Sequence, residues 1–226
     1  MRITELTKHF DGFGIEIRNQ DFEDGLVHGL IGPNGCGKTT LAKLIMGTVP
    51  AQRRDIDFGG LGDRDMTMTT QKPYMMHDSV YQNLIFPLKL RGMTPDRQET
   101  DRLLGLCGLL EKSKDPARGL SSGQQQKLSI ARSLIFKPKF IIIDESLSSL
   151  DPDSVELFET EIRHIQKEAP VTWLIISHQL AHVRRLCDRI HFMDQGTIIR
   201  AGTFDEVLRQ PDAPELSRYL ARETLQ

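Results

Sequence analysis

The stretch that most constrains the fold is Gly32 to Thr40, reading G-P-N-G-C-G-K-T-T. Residues 26–31 before it are mostly apolar and read as a buried strand. Residues 41–46 after it have helical spacing and end at Gly47. Strand, glycine-rich turn, Gly-Lys-Thr and helix, in that order, make a phosphate-binding P-loop. The glycines allow a tight turn that aims successive N–H groups at phosphate oxygens. A helix beginning near Lys38 adds its unpaired amides and the positive end of its dipole. Lys38 brings an ammonium to the β/γ-phosphates, and Thr39 offers a hydroxyl to Mg²⁺. Pro33, Asn34, Cys36 and Thr40 complete the candidate nucleotide cradle with Gly32, Gly35 and Gly37.

Composition narrows what surrounds this site. The 226 residues fit one domain, or a core with a subdomain, and 38% hydrophobic content supports a sizeable core. A net charge of −2 offers no electrostatic case for a nucleic-acid partner. The N-terminus lacks the apolar core of a signal peptide, and no run approaches a membrane span. Any membrane role is therefore expected to be peripheral. Cys36, Cys107 and Cys187 have no paired spacing, which argues for a reducing compartment without disulfides or a zinc site.

Along the chain, residues 3–6 and 14–19 alternate as half-buried strands, with Phe10 between them as an exposed-aromatic candidate for stacking on a nucleobase. Phe13 is the rival, and core packing is open to both. Residues 50–65 read as a short edge strand with turns, and residues 66–71 as a strand ending at Gln71. Residues 73–120 read as a helical insert, with short helices over 79–86, over 95–105 and near Leu109. Thr94 is the expected cap of the second, with Pro95 at its first position. Ser121 or Ser122 caps a helix over 123–136. Residues 140–143 are a fully apolar strand, as in a parallel sheet. A helix from Asp151-Pro152 to about Lys167, a buried strand over 171–176 and a helix over 179–186 follow. Then come a hairpin turning at Gln195-Gly196, a capping-box helix from Thr203 and a last amphipathic helix over 214–223.

A P-loop enzyme needs a second Mg²⁺ anchor and a group to orient attacking water. Asp144 and Glu145, at the carboxyl end of the apolar strand, supply both in order. With these in place, Leu120-Ser-Ser-Gly-Gln-Gln-Gln-Lys127 resembles the signature motif of ABC ATPases. Gln71 resembles that family's Q-loop glutamine, Asp144 and Glu145 its Walker B pair, and Ser149-Leu-Asp151 its D-loop. His178 resembles its switch histidine and Phe10 its adenine-stacking aromatic.

The resemblance implies an α/β fold: a P-loop (RecA-like) core with a parallel sheet, an N-terminal antiparallel β subdomain and an inserted helical subdomain. The expected division is one ABC ATPase domain over 1–226, with 1–72 and 121–226 as core and 73–120 as the helical part. It implies Lys38, Gln71, Glu145 and His178 as catalytic residues, and Thr39, Gln71 and Asp144 around Mg²⁺. It also implies two cassettes paired head to tail on two ATP molecules, with Ser121, Ser122, Gly123 and Gln124 on the partner's ATP. Two positions depart from the family: Ser122 where Gly is usual, and Ser146 where Pro commonly follows the Walker B glutamate. If residue 122 needs a left-handed backbone, its Cβ costs about 1–2 kcal/mol; as a helix start, serine is well placed. Cys36 has two readings, an inert filler or a thiol whose modification blocks ATP.

Several machines share this engine. The first is a transporter ATPase subunit of the bacterial importer type, at the cytoplasmic face of the membrane. It would work as a homodimer or with a paired ATPase subunit, on transmembrane permease chains. A substrate-binding protein would be reached only indirectly, through the permease. Pro73, Tyr74, Met75, Met76, Tyr81, Leu84 and Phe86 suit a socket for the permease, or form the insert's own core. The sequence T-Q-K-P-Y-M-M-H-D-S-V-Y-Q-N-L-I-F-P-L from Thr70 is similar to importer ATPases. The short stretch after Gly202 is similar to the oxyanion uptake group, tungstate or molybdate among them. The alternatives are a soluble ABC ATPase on a non-transport assembly and a regulator without turnover. The first lacks support from a second cassette, a coiled coil or basic charge, and the second is disfavoured by intact Lys38, Asp144 and Glu145.

Overall fold

The computed structural model describes residues 1–148, 150–209 and 213–223. The chain opens with β1 (Arg2–Phe10) and β2 (Phe13–Asp21), an antiparallel hairpin turned at Gly12. It continues through β3 (Val27–Ile31) into the P-loop and α1 (Lys38–Ile45), then β4 (Arg53–Asp57), which pairs back on β1. β5 (Met66–Thr69) returns the chain to the central sheet. α2 (Val80–Arg91) and α3 (Arg97–Leu106) fall in the stretch expected as a helical insert, and α4 (Ser122–Leu134) leads to β6 (Phe140–Asp144). α5 (Pro152–Glu168), β7 (Thr172–Ile176) and α6 (Leu180–Leu186) follow. The hairpin β8 (Arg189–Asp194) and β9 (Thr197–Gly202) precedes α7 (Phe204–Leu208) and α8 (Pro214–Glu223).

Two sheets result, as the sequence led one to expect. One is three-stranded and antiparallel, β2-β1-β4; the other has the order β5-β6-β7-β3-β8-β9, parallel except for β9. Every residue of β3, β6 and β7 is buried, which is why those strands read as largely apolar runs. Apolar layers lie on both faces. One joins Ile15, Ile17 and Phe22 with Leu41, Ile45, Phe140 and Ile142. The other joins Val80, Leu84 and Leu103 of the insert with Leu128, Ile130, Ile141 and Phe158. That second layer runs across residue 120 without a break, because α2 packs directly on α4.

Some element boundaries differ from expectation. α2 continues through Pro87 to Gly92, whose left-handed backbone (φ 69°) ends it; packing by buried Val80, Leu84, Ile85 and Leu88 outweighs the lost hydrogen bond. The cap of α3 is Asp96, accepting from the Gln98 amide, and not Thr94. No helix forms near Leu109: Gly108 (φ 65°) stops α3 and residues 109–113 turn. Ser121 is the cap of α4 in a capping box with Gln124, a contact of about 1 kcal/mol. Ser122 is therefore the first helical residue, outside the left-handed region, and the feared strain does not arise.

Candidate functional site

β3 delivers the chain to the P-loop at a point where space decides residue type. At Gly32 (φ 148°) an added Cβ would lie 2.0 Å from the Met193 carbonyl oxygen. At Gly37 (φ 110°) it would lie 2.5 Å from Ile15 and 2.8 Å from Phe13. Only glycine fits either position, since both a clash and a left-handed backbone oppose any side chain. Lys38 is buried, with Nζ donating to the carbonyls of Gly32 at 2.7 Å and Pro33 at 3.0 Å. Its ammonium is thus held at the mouth of the loop.

The parallel register sets the opposite wall. Asp144 pairs with Ile176, so the ends of β6 and β7 lie side by side and carry Glu145 and His178 to the same edge. Asp144 is 3% exposed and accepts from Thr39 Oγ1 at 3.0 Å. Burial raises its pKa, and the threonine hydroxyl acts against that rise. Glu145 adopts a left-handed backbone (φ 51°), held by its N–H donating to the Ile176 carbonyl at 3.1 Å. His178 Nδ1 lies 3.9 Å from Glu145 Oε1. A cleft of about 740 Å³ is lined by Gly32, Pro33, Asn34, Gln71, Glu145 and His178.

Gln71 stands exposed, two residues past β5, and not at the strand's end. The Gln126 amide of α4 donates to the neighbouring Thr70 carbonyl at 3.3 Å, tying that segment to the signature helix. Next to the loop a second cleft of about 470 Å³ is lined by Phe13, Pro33, Asn34, Gly35, Cys36, Asp194 and Gln195. The two aromatic rivals separate here. Phe13 packs into the core, while Phe10 is 43% exposed with its ring stacked 6.3 Å from Phe13.

Not every candidate converges. Ser121 and Ser122 are exposed, Gly123 and Gln124 half-buried, and none of them lines the cleft of this chain. Asp151 caps α5, accepting from the Ser154 amide and hydroxyl, which lowers its pKa to about 2; it also meets Lys127 of α4 at 3.5 Å. Ser149 lies outside the described residues. Cys36 is buried and burial pushes its thiol pKa up, which favours the filler, while it still lines the cleft beside the loop. Of the proposed socket, Met75 and Leu84 are core, whereas Tyr74 and Phe86 are exposed.

Two features escaped sequence reasoning. The Gln195-Gly196 turn braces the loop: Gly196 donates to the Cys36 carbonyl at 2.9 Å, and its carbonyl accepts from Glu16 at 3.0 Å. Arg218 and Arg222 of α8 line the larger cleft, held there by buried Leu216 and Tyr219 against Ile31 and Phe192. The signal was present as an amphipathic helix with arginines four apart.

The donor set suits Mg²⁺. A buried carboxylate adjoins a hydroxyl, both hard oxygen donors, and no cluster of three His, Cys, Asp or Glu occurs among the described residues. An ion that keeps waters and takes phosphate oxygens fits such a half-built site.

Comparison with known proteins agrees with this geometry. Residues 16–148 match the ABC transporter family. The chain is 35% identical over 209 residues to the tungstate uptake system ATP-binding protein TupC of Peptoclostridium acidaminophilum, covering 89% of this chain and 98% of that protein. It is 34% identical to the spermidine/putrescine import ATP-binding protein PotA of Fusobacterium nucleatum, covering 93% of this chain but 59% of that one. It is 33% identical to the trehalose/maltose import ATP-binding protein MalK of Thermococcus litoralis, covering 93% and 61%. Among solved structures, an ATP-binding subunit of an ABC transporter superposes with a TM-score of 0.83 at 22% identity, covering 99% of this chain and 98% of that one. An Atm1-family exporter with ATP bound gives 0.85 at 19%, covering 100% of this chain and 42% of that one. At those identities the likeness is one of fold.

Proposed function

Because this chain belongs to the ABC transporter family, we propose that it is the ATP-binding and ATP-hydrolysing subunit of an importer, a peripheral protein of the cytoplasmic membrane face. The observation that carries the reading is the cleft lined by the P-loop residues Gly32, Pro33 and Asn34 with Gln71, Glu145 and His178, beside which Lys38 is held on the Gly32 carbonyl and Thr39 on Asp144. Lys38 exchanges its carbonyl partners for phosphate oxygens. The α1 N-terminus contributes its amides to the same anion. Thr39, Gln71 and Asp144 would hold Mg²⁺, which would supply positive charge against the phosphates. Glu145 accepts a hydrogen bond from the attacking water, and His178 steadies that carboxylate and the γ-phosphate. Phe10 stacks on the adenine.

The exposed signature residues are then the half of the site that each chain offers to another. We place two cassettes head to tail, closed by ATP and released by its hydrolysis. Residues 73–120 form the subdomain that meets the permease, through exposed Tyr74, Phe86 and Leu90. Among the described residues no helix is long and apolar enough to cross a membrane, so a separate membrane subunit fits. The 35% identity to the tungstate uptake ATP-binding protein, across 98% of that protein, supports an oxyanion as cargo.

The test is steady-state phosphate release. Glu145→Gln should lower it by roughly 10²–10⁴-fold while ATP-dependent pairing survives. Hydrolysis at the wild-type rate in that variant would remove the assignment of the base. Copurification with an oxyanion permease from membranes tests the cargo.

A further inference from the structure

Helix α5 carries two buried carboxylates that the hydrolytic mechanism does not use, Glu159 at 4% and Glu161 at 6% exposure. Each is gripped by a bidentate arginine from a different part of the molecule. Arg102 of α3, in the insert, donates through Nη2 and Nη1 to Glu161 at 2.8 and 3.0 Å. It also forks onto Glu99 of its own helix at 2.8 and 2.9 Å. Arg185 of α6 donates through Nη2 and Nε to Glu159 at 2.8 and 2.9 Å. Arg163 of α5 donates in turn to the Arg185 carbonyl at 2.9 Å. At about 100° per residue the two carboxylates lie roughly 200° apart around α5, so the arginines hold it from opposite sides. α6 begins at Leu180, two residues after His178, and α5 begins at Pro152 on its Asp151 cap.

From this arrangement we propose that α5 is a charge-clamped strut: Glu159–Arg185 sets the placement of α6 and hence of His178, and Arg102–Glu161 makes that placement depend on the insert. These four are positioning residues, acting through His178 and touching no nucleotide. The pairs suit the task because planar, bidentate guanidinium–carboxylate contacts fix orientation as well as distance. Burial raises the penalty for leaving either carboxylate alone, so the clamps favour one arrangement over a graded range. The inference rests on His178 being a catalytic group of the proposed ATPase.

The test compares Glu159→Gln and Glu161→Gln, both isosteric, with wild type and with His178→Ala, as kcat per nucleotide-binding chain and KM for ATP. We expect each glutamine variant to lose about three- to tenfold in kcat with KM within about twofold. In the His178→Ala background Glu159→Gln should cost nothing further, and the Glu159→Gln/Glu161→Gln double variant should resemble the worse single one. Unchanged kcat in the singles, losses that multiply in the doubles, or a fall only in the fraction of folded chain would overturn the strut. If His178→Ala itself keeps full kcat, the switch-histidine assignment fails, and the strut with it. A slow His178→Ala beside a fully active Glu159→Gln sinks the strut alone.

Discussion

Ser146 shows how one side chain can replace a stiffer residue. Its hydroxyl is fully buried, 2.8 Å from Thr69 Oγ1 and 3.3 Å from the Asp144 carbonyl, and so joins the acidic loop to the end of β5. Ser146→Ala leaves the buried Thr69 hydroxyl without that partner, a loss of about 1–2 kcal/mol. Thermal unfolding should fall by roughly 2–8 °C for a chain of this size. Adding Thr69→Val should recover part of the loss, because removing both partners costs less than orphaning one. If the double variant melts below Ser146→Ala, the two hydroxyls are not a pair. The sequence showed the departure at position 146 but not its partner, since Thr69 is far away in the chain. Glu145 makes the same point. Its identity was legible from the strand before it, whereas its left-handed backbone comes from the Ile176 carbonyl on the neighbouring strand.

Between elements, β2, β3 and β8 meet in a polar chain inside the molecule. The Glu23 carbonyl can only accept, so His28 carries its proton on Nε2, at 2.9 Å. His28 Nδ1 then accepts from His191 Nε2 at 3.0 Å, and His191 Nδ1 accepts from the Gln20 amide at 3.1 Å. Both rings are satisfied as neutral species. Burial pushes both down, His191 to about 3, with the Arg189–Glu23 ion pair and Asp188 nearby. Unfolded histidine titrates near 6.5, so above that pH neither state takes a proton and stability is flat. Below it the unfolded chain binds protons that the folded chain refuses, and stability falls by up to about 1.4 kcal/mol per pH unit for each histidine. Denaturant unfolding between pH 7.5 and 5.5 should show this slope, and His191→Gln should reduce it by about one proton. An unaltered slope would place the proton uptake elsewhere. Alternation made β2 readable, an apolar run β3 and a turn signal β8, but none of these says which inward residue of one strand faces which of another. At α3 two local caps competed: Thr94-Pro95 has the right chemistry, but Asp96 accepts from the Gln98 amide at 3.0 Å and starts the helix.

Across the whole molecule the apolar layer under the insert is continuous with the core, so the insert is packed into the body of the chain more than its motif map suggests. The motifs were legible because each is a compact run of residues. The proposed division of the site between two chains rests on the family resemblance and not on spacing, and it makes a strict demand. Each composite site takes Lys38 from one chain and Ser121 from the other. Lys38→Ala alone should lack turnover because no P-loop in the pair holds ATP. Ser121→Glu alone should lack it because every signature helix repels the γ-phosphate, its charge standing at an exposed N-terminus. Mixed in equal amounts, half the pairs join one of each, and in these one site is built from two intact halves. If sites work independently, the mixture should recover about a quarter of the wild-type rate, since exchange in a two-fold pair is statistical. The recovery should grow with total chain concentration and vanish on dilution below the pairing range. A mixture as inactive as its parents at every concentration would mean that Ser121 serves the ATP of its own chain, or that both sites must fire together. Glu145→Gln chains separate these cases: if they bind two nucleotides per pair and the same mixture made in that background binds about one for every two pairs, the composite site is intact and the coupling lies in turnover.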